Sequence, residues 1–303
     1  RAQRAERQEQ RTKCNSQCTE HIEQSTKRET LCAVPSAPCA MRSPVIRNVK
    51  MKTPTDKNRR KAIPRAKGRF VVVIPLYNHA ETVADVIRGV LGCGLPVIVV
   101  EDGSTDASHE RIKNIDGITV LRHHQNRGKG AALMTGMTAA VGRYDWAVTI
   151  DADGQHDPED IAGLIEAIPE NLRPVVLGRR QGMNAPDVLW TSRYGRKFSN
   201  FWVQLSGGGS VKDSQSGFRI YPLPEVLNLN VKSGGYQFEI EVLAKAGWRK
   251  IPFVEAPVRV YYQPGKKRVS HFRPVVDFLK NSRTFARLIF QRFVLTPSRR
   301  SQI

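Results

Sequence analysis

Trp146-Ala147-Val148-Thr149-Ile150-Asp151-Ala152-Asp153-Gly154-Gln155 is an apolar run that ends in two carboxylates. Side chains alternate along an extended chain, so Asp151 and Asp153 can point the same way. A short apolar run of this kind suits a buried strand that delivers the pair to the edge of a sheet. Two anions this close repel unless a cation sits between them. Their hard oxygens suit Mg²⁺ or Mn²⁺, ions that usually keep positions open for substrate phosphates. The competing reading is that Asp153 and Asp157 merely cap a helix, because Asp157-Pro158-Glu159-Asp160 is a good helix opening. Capping leaves Asp151 unexplained.

The flanking sequence has a matching texture. Residues 70–74 form an apolar strand ended by Pro75, and residues 96–100, 118–121 and 174–177 read as further strands. Between them residues 80–91 place Val83, Ile87, Val90 and Leu91 on one helical face, and residues 128–141 and 158–168 also read as helices. Strands that alternate with helices and lack polar alternation predict an α/β fold: a mainly parallel sheet covered by helices on both faces. Ligands in such sheets bind beyond the carboxyl ends of the strands.

The chemistry-bearing motifs fall at those ends. The first strand runs into Pro75-Leu76-Tyr77-Asn78, and the second into Glu101-Asp102-Gly103-Ser104-Thr105-Asp106. A carboxylate at Asp102 can accept hydrogen bonds from a ribose or a base, although Asp-Gly-Ser alone reads first as a plain turn. Asn126-Arg127-Gly128-Lys129-Gly130 puts two cations and two glycines before a helix. Its N–H groups and positive dipole end can approach phosphate, though it lacks the spacing of either standard phosphate fingerprint.

In order and separation, these four motifs resemble family 2 glycosyltransferases with the Rossmann-like GT-A fold. Asp213-Ser214-Gln215-Ser216-Gly217-Phe218-Arg219, Phe238-Glu239-Ile240-Glu241, Glu255-Ala256-Pro257-Val258 and Tyr261-Tyr262 are similar in particular to the dolichol/polyprenyl-phosphate sugar transferases. The resemblance spans about residues 68–272. It implies that Asp102, Pro75, Tyr77 and Asn78 bind the nucleotide of a sugar donor. Asp151 and Asp153 would hold Mg²⁺ or Mn²⁺ against the donor's diphosphate, and Lys129, Arg179, Arg180 or Arg193 would help stabilise the departing charge. Inversion at the anomeric carbon is implied as well. A hydroxyl acceptor needs a carboxylate base, with Asp213 the first choice and Glu239 and Glu241 next; a lipid phosphate, already ionised, needs none. The plainer reading of Glu239 and Glu241 is a helix face with one inward carboxylate, and of Arg179 and Arg180 exposed loop charges. Two departures leave the nucleotide open among GDP, UDP and dTDP: His79 follows the Tyr-Asn pair where the family often has Glu, and Glu101-Asp102 replaces Asp-Asp.

Charge divides the chain in three. The total is +20, but residues 1–69 hold 18 Lys/Arg against 6 Asp/Glu, residues 70–258 hold 19 against 21, and residues 259–303 hold 11 against 1. Residues 1–67, basic, rich in proline and without periodicity, are expected to be disordered; Met41 and Met51 stand within them as alternative starts. Residues 68–272 form the expected catalytic domain and residues 273–303 a basic tail. Along 274–295, Val275, Phe278, Leu279, Phe285, Ile289 and Phe293 lie along one helical face, with Lys280, Arg283 and Arg287 beside it. That pattern fits either an interfacial membrane helix or a helix packed on the core.

Cys14, Cys18, Cys32 and Cys39 match no compact zinc pattern. With only Cys93 beyond them, a reduced, cytoplasmic setting, peripheral to the inner face of a membrane, is expected. No apolar run is long enough to span a bilayer. The slightly acidic centre argues against nucleic acid as a partner. The expected partners are a nucleotide-sugar and a lipid-phosphate or glycan acceptor. The rival within the same pocket is a protein that binds or cleaves sugar nucleotides without acceptor transfer.

Overall fold

The structure, a computed structural model, describes residues 67–182, 190–261 and 274–295, with the backbone alone described at 190–194 and 274–276. In chain order these residues form β1 (Phe70–Leu76), α1 (Val83–Gly92), β2 (Val97–Asp102), α2 (Ser108–Ile112), β3 (Ile118–His123), α3 (Lys129–Ala140), β4 (Trp146–Thr149), α4 (Asp160–Glu166) and β5 (Val175–Arg180). There follow α5 (Trp190–Leu205), β6 (Arg219–Pro222), α6 (Gln237–Trp248), β7 (Phe253–Val258) and α7 (Pro274–Val294).

The strands make one sheet in the order β3-β2-β1-β4-β6-β5-β7. β3, β2, β1 and β4 are mutually parallel, β5 and β7 are parallel, and β6 runs antiparallel to both of its neighbours. This is the mainly parallel α/β sheet expected. Every residue of β1 is buried because the strand has partners on both edges and helices on both faces. Phe70, Val72 and Ile74 face α1 and α4, whose Val83, Ile87, Val90, Ile161 and Leu164 complete that side. Val71 and Val73 face the other way, onto Leu133 and Met137 of α3, in a core that also takes in Phe238 and Leu243 of α6 and Phe285 and Leu288 of α7. Each such side chain contributes roughly 2 kcal/mol of burial. At Gly136 a Cβ would lie 2.4 Å from a Val73 methyl, so α3 reaches the sheet only because that position has no side chain.

After β1 the chain builds outward through β2 and β3, then returns to the opposite edge of β1 for β4. The crevice at such a reversal, beyond the carboxyl ends of β1, β2 and β4, is where ligands of open α/β sheets bind.

Five strands lie within a few residues of their predicted places. β6 and β7 were absent from the sequence reading, and so were α2 and α5. The basic segment expected over 1–67 lies outside the described residues, except Lys67, whose Nζ donates to the carbonyls of Ile165, Glu166 and Ile168 at the end of α4. Residues 262–273, Tyr262 among them, and 296–303 also lie outside. The C-terminal stretch is helical, as its periodicity predicts, but the single apolar face splits. Phe285 and Leu288 are buried, while Phe278, Leu279 and Phe293 stay exposed. Among the described residues no helix is long and apolar enough to cross a membrane.

Candidate active site

β4 ends at Thr149, and the chain then turns through Asp151-Ala152-Asp153 in the crevice. Three contacts fix that turn. Thr82, ahead of α1, donates its hydroxyl to the Ala152 carbonyl at 2.6 Å. Asp153 Oδ1 accepts the Gln155 N–H at 3.0 Å. Tyr261, just past β7, donates its N–H to the Gln155 carbonyl, and His156 bridges to Val260. The turn that leads into α4 is braced by Asp157, whose Oδ1 accepts the Glu159 N–H and whose other oxygen pairs with Arg259. Asp153 takes no part in it.

Lys129, in the first turn of α3, reaches across to the same turn. Its Nζ lies 2.7 Å and 2.9 Å from the two oxygens of Asp151 and 2.8 Å from Glu239 Oε1 at the start of α6. The Glu239 contact is a charge pair rather than a well-aligned hydrogen bond. Of the three ammonium contacts, the one to Asp151 Oδ2 is a hydrogen bond, and those to Asp151 Oδ1 and Glu239 Oε1 are ion pairs. Gly217 allows the cluster to close: a Cβ there would lie 2.5 Å from Lys129 Nζ and 2.7 Å from Asp151 Oδ2.

The electrostatics follow from this placement. Burial raises the Asp151 carboxyl, but the charge and hydrogen bond of Lys129 outweigh burial and hold it below its ordinary value, with His156 and His79 adding to the effect. Asp153 has no such partner; burial and then the charge of Asp151 push it up. Burial lowers Lys129, yet Asp151 and Glu239 more than restore it, so the ammonium is held above its usual range. Burial also keeps the His156 imidazole neutral more readily than a free histidine. The crevice floor thus contains a carboxylate that a nearby cation would stabilise, beside a second carboxylate of ordinary hard-oxygen chemistry. A divalent ion fits that donor pair, and further ligands would have to come from outside it. Among the described residues no third carboxylate, histidine or cysteine joins the pair in a ligating cluster.

The other predicted residues fall in different places. Pro75 is buried within β1, opposite Val100, and Tyr77 is half-buried just beyond the strand. Asn78 takes a left-handed backbone (φ 53°) and uses its side chain on Thr105 and the Asp106 N–H, so it braces the loop after β2. Asp102 is buried and both its oxygens are engaged. They accept the Arg127 and Gly128 N–H groups at 2.9 and 2.8 Å, and Oδ1 sits 2.6 Å from His123 Nδ1. It therefore anchors the loop that presents Lys129. Arg179 is half-buried near the end of β5, and the side chain of Arg193 lies outside the described residues.

The three predicted bases are all occupied. Asp213 is fully buried in a two-pronged pair with Arg180, at 2.8 Å on each oxygen. Glu239 holds Lys129. Glu241, its side chain fully buried, accepts the Lys232 and Ser233 N–H groups and the Ser233 hydroxyl, and pairs with Lys245 and Arg287. It lies on the far side of α6 from Glu239 and ties the 232–234 loop to α7. We expect Glu241→Gln to lower stability by roughly 3 kcal/mol, since it leaves two cations short of their partner. Transfer by the folded fraction should stay near wild type; urea denaturation with an activity assay checks both.

Several working residues were given no role in the sequence reading, although Arg219 and Glu255 stand within its quoted motifs. Arg219, fully buried, donates to the Ser214, Ser216 and Glu239 carbonyls and so stiffens the 213–219 turn. Glu255 accepts the Lys212 and Asp213 N–H groups from below. His123 locks Asp102, with its Nε2 on the Thr135 hydroxyl at 3.0 Å. Arg219 reaches Ser214 and Ser216 within its own motif, whereas the fold alone brings Glu239 to Arg219, Glu255 to Lys212 and His123 to Asp102.

Comparison with known proteins agrees with the geometry. Residues 71–223 match the model of Glycosyl transferase family 2. The UDP-N-acetylglucosamine–dolichyl-phosphate N-acetylglucosaminyltransferase of Methanococcus voltae is 30% identical over 213 residues, 63% of this chain and 85% of the relative. The polyprenol monophosphomannose synthase of Mycolicibacterium smegmatis is 29% identical over 211 residues, 65% of this chain and 79% of the relative. Glucosyl-3-phosphoglycerate synthase from Mycobacterium tuberculosis, solved with Mg²⁺ and UDP, shares the fold with a TM-score of 0.58 at 22% identity, over 77% of this chain and 82% of that one. With the crevice at the end of β4, its paired aspartates and the family match over half the chain, this protein belongs to glycosyl transferase family 2 and is a glycosyltransferase.

Proposed function

We propose that the protein transfers a sugar from a nucleotide-sugar to a polyprenyl-type lipid phosphate at a membrane surface, with inversion at the anomeric carbon. One observation carries the choice of acceptor. Asp213, Glu239 and Glu241 are each held in ion pairs, so no predicted base is free to take a proton. A hydroxyl acceptor requires such a base; a phosphate monoester arrives as an oxyanion. The dolichyl-phosphate in one relative's name and the polyprenol monophosphomannose in another's support the same reading.

Asp151 and Asp153 would hold Mg²⁺ or Mn²⁺, which when bound supplies Lewis-acid neutralisation of the leaving diphosphate. The chain's own residues do the rest. Asp102 fixes the Arg127–Gly128 backbone, and this sets the start of α3 and the reach of Lys129. Lys129 keeps Asp151 ionised and holds Glu239 in place, acting through carboxylates rather than directly on phosphate. Arg180, near the end of β5, is held by Asp213 through both of its carboxylate oxygens. Pro75 and Tyr77 border the nucleotide at the end of β1.

The test is a panel of GDP-, UDP- and dTDP-sugars with Mg²⁺ or Mn²⁺, run with polyprenyl phosphate, with the matching free prenol, and with no acceptor. We expect turnover with the phosphate alone. Equal turnover with the free prenol would restore a base, Glu239 first. Donor consumption without any acceptor would favour a hydrolase.

A further inference from the structure

α7 has two apolar faces. One is core, centred on Phe285 and Leu288. At about 100° per residue Leu279 and Phe290 lie opposite it and Phe293 to its side, while Phe278 lies on the line of Phe285 at the N-terminal end of the helix; Phe278, Leu279, Phe290 and Phe293 are 52, 61, 64 and 69% exposed. Beside it α5 exposes Phe198 and Phe201, and the Phe198 and Phe278 rings are 6.0 Å apart, so the two helices share one aromatic surface. Scattered exposed apolar residues are ordinary, but a contiguous aromatic patch marks a contact surface.

The charge around it identifies the partner. α5 contains no Asp or Glu, and the one acid of α7, Asp277, is buried. Lys197, Lys280 and Arg283 are exposed on the same helices. An aromatic centre with a cationic rim and no exposed acid complements an anionic bilayer: rings at the acyl boundary, cations on the headgroups. The patch is also fastened to the catalytic crevice. On the inner side of α5, Asn200 accepts the Ser214 N–H and donates to the Lys212 carbonyl, and Ser199 meets the Ser214 hydroxyl, on either side of Asp213.

We propose that the joint α5–α7 face is a membrane-docking surface that seats the protein on anionic phospholipid, with Phe198, Phe201, Phe278, Phe290 and Phe293 entering the interface. Its bearing on catalysis rests on the lipid-phosphate acceptor proposed above; the docking itself does not. The full chain is floated with vesicles of phosphatidylcholine, with and without phosphatidylglycerol, and compared with Phe290→Ser/Phe293→Ser and Lys280→Glu/Arg283→Glu. Both pairs are exposed, and a thermal melt checks that the variants fold.

Wild type should partition onto the phosphatidylglycerol vesicles, the aromatic variant about tenfold or more weakly. The charge variant should lose the preference for phosphatidylglycerol. Transfer to geranyl phosphate in solution should be equal in all three, while transfer to long-chain polyprenyl phosphate in vesicles falls with partition. Unchanged partition in the aromatic variant overturns the proposal. So does a wild-type dimer in light scattering that the same variant converts to monomer, because that assigns the face to a second copy. Vesicle binding without turnover on any prenyl phosphate leaves docking standing and removes only the acceptor reading.

Discussion

Asp153→Asn should abolish sugar transfer, by about a thousandfold or more, and yet leave the protein more stable than wild type when divalent ions are chelated. The activity loss follows from removing one of the two carboxylates proposed to hold the ion. Lewis-acid neutralisation of a leaving diphosphate is worth several kcal/mol, and each 1.4 kcal/mol is a factor of ten in rate. The gain in stability follows from the crevice itself. Burial and the charge of Asp151 push the Asp153 carboxyl above its ordinary value. The folded state therefore binds this proton more tightly than the unfolded chain does. Stability must fall as pH rises from the ordinary carboxylate range through the raised folded value. Asparagine keeps the shape and the Gln155 hydrogen bond without the charge, so this slope should be absent. Thermal melts from pH 4 to 8 in EDTA, repeated with Mg²⁺, read the effect; Mg²⁺ should stabilise wild type and leave the variant unmoved. Near-native turnover in Asp153→Asn would falsify the metal assignment, whatever the melts show.

Lys129→Met should be the most destabilising exchange in the crevice. The ammonium, about one-sixth exposed, is the partner of Asp151 on both oxygens and of Glu239. Removing one member of such a buried cluster costs about 3–5 kcal/mol, chiefly because the remaining charges lose their compensation. The raised ammonium stays protonated below its unfolded value near about 10.4, so this stabilisation is complete at neutral pH and lost only as pH climbs through the folded value. Transfer should vanish along with it, since Asp151 would no longer be held. Adding Glu239→Gln to Lys129→Met should return part of the loss, with a coupling of about 1–3 kcal/mol in urea denaturation. Strict additivity in that cycle would show that the two side chains do not share the charge.

The sheet was legible because its strands are buried on both faces and so read as plain apolar runs, as in Val71-Val72-Val73-Ile74 and Val97-Ile98-Val99-Val100. β6 and β7 escaped for the opposite reason. Arg219-Ile220-Tyr221-Pro222 carries a buried arginine and a proline, and β7 is partly exposed with a proline near its end. Neither looks apolar; β6 is a strand because β4 and β5 pair with it on both sides, and β7 because the edge beside β5 receives it. α7 was legible as a helix but not in its placement. A period of 3.6 marks apolar positions without saying which of two faces meets the core, and Phe285 and Phe293 look alike until α6 packs against one of them.

By itself the chain determined the α/β order, the edge at which the chemistry gathers and the paired aspartates, because these depend on spacing along one strand and one turn. Which acids are free was decided by tertiary structure alone. Asp213, Glu239 and Glu241 look equally available as letters, but Arg180, Lys129 and Arg287 arrive at 2.6–2.8 Å from elements 33, 110 and 46 residues away. A carboxylate's reactivity depends on the charges that surround it in space, and local spacing carries no record of them.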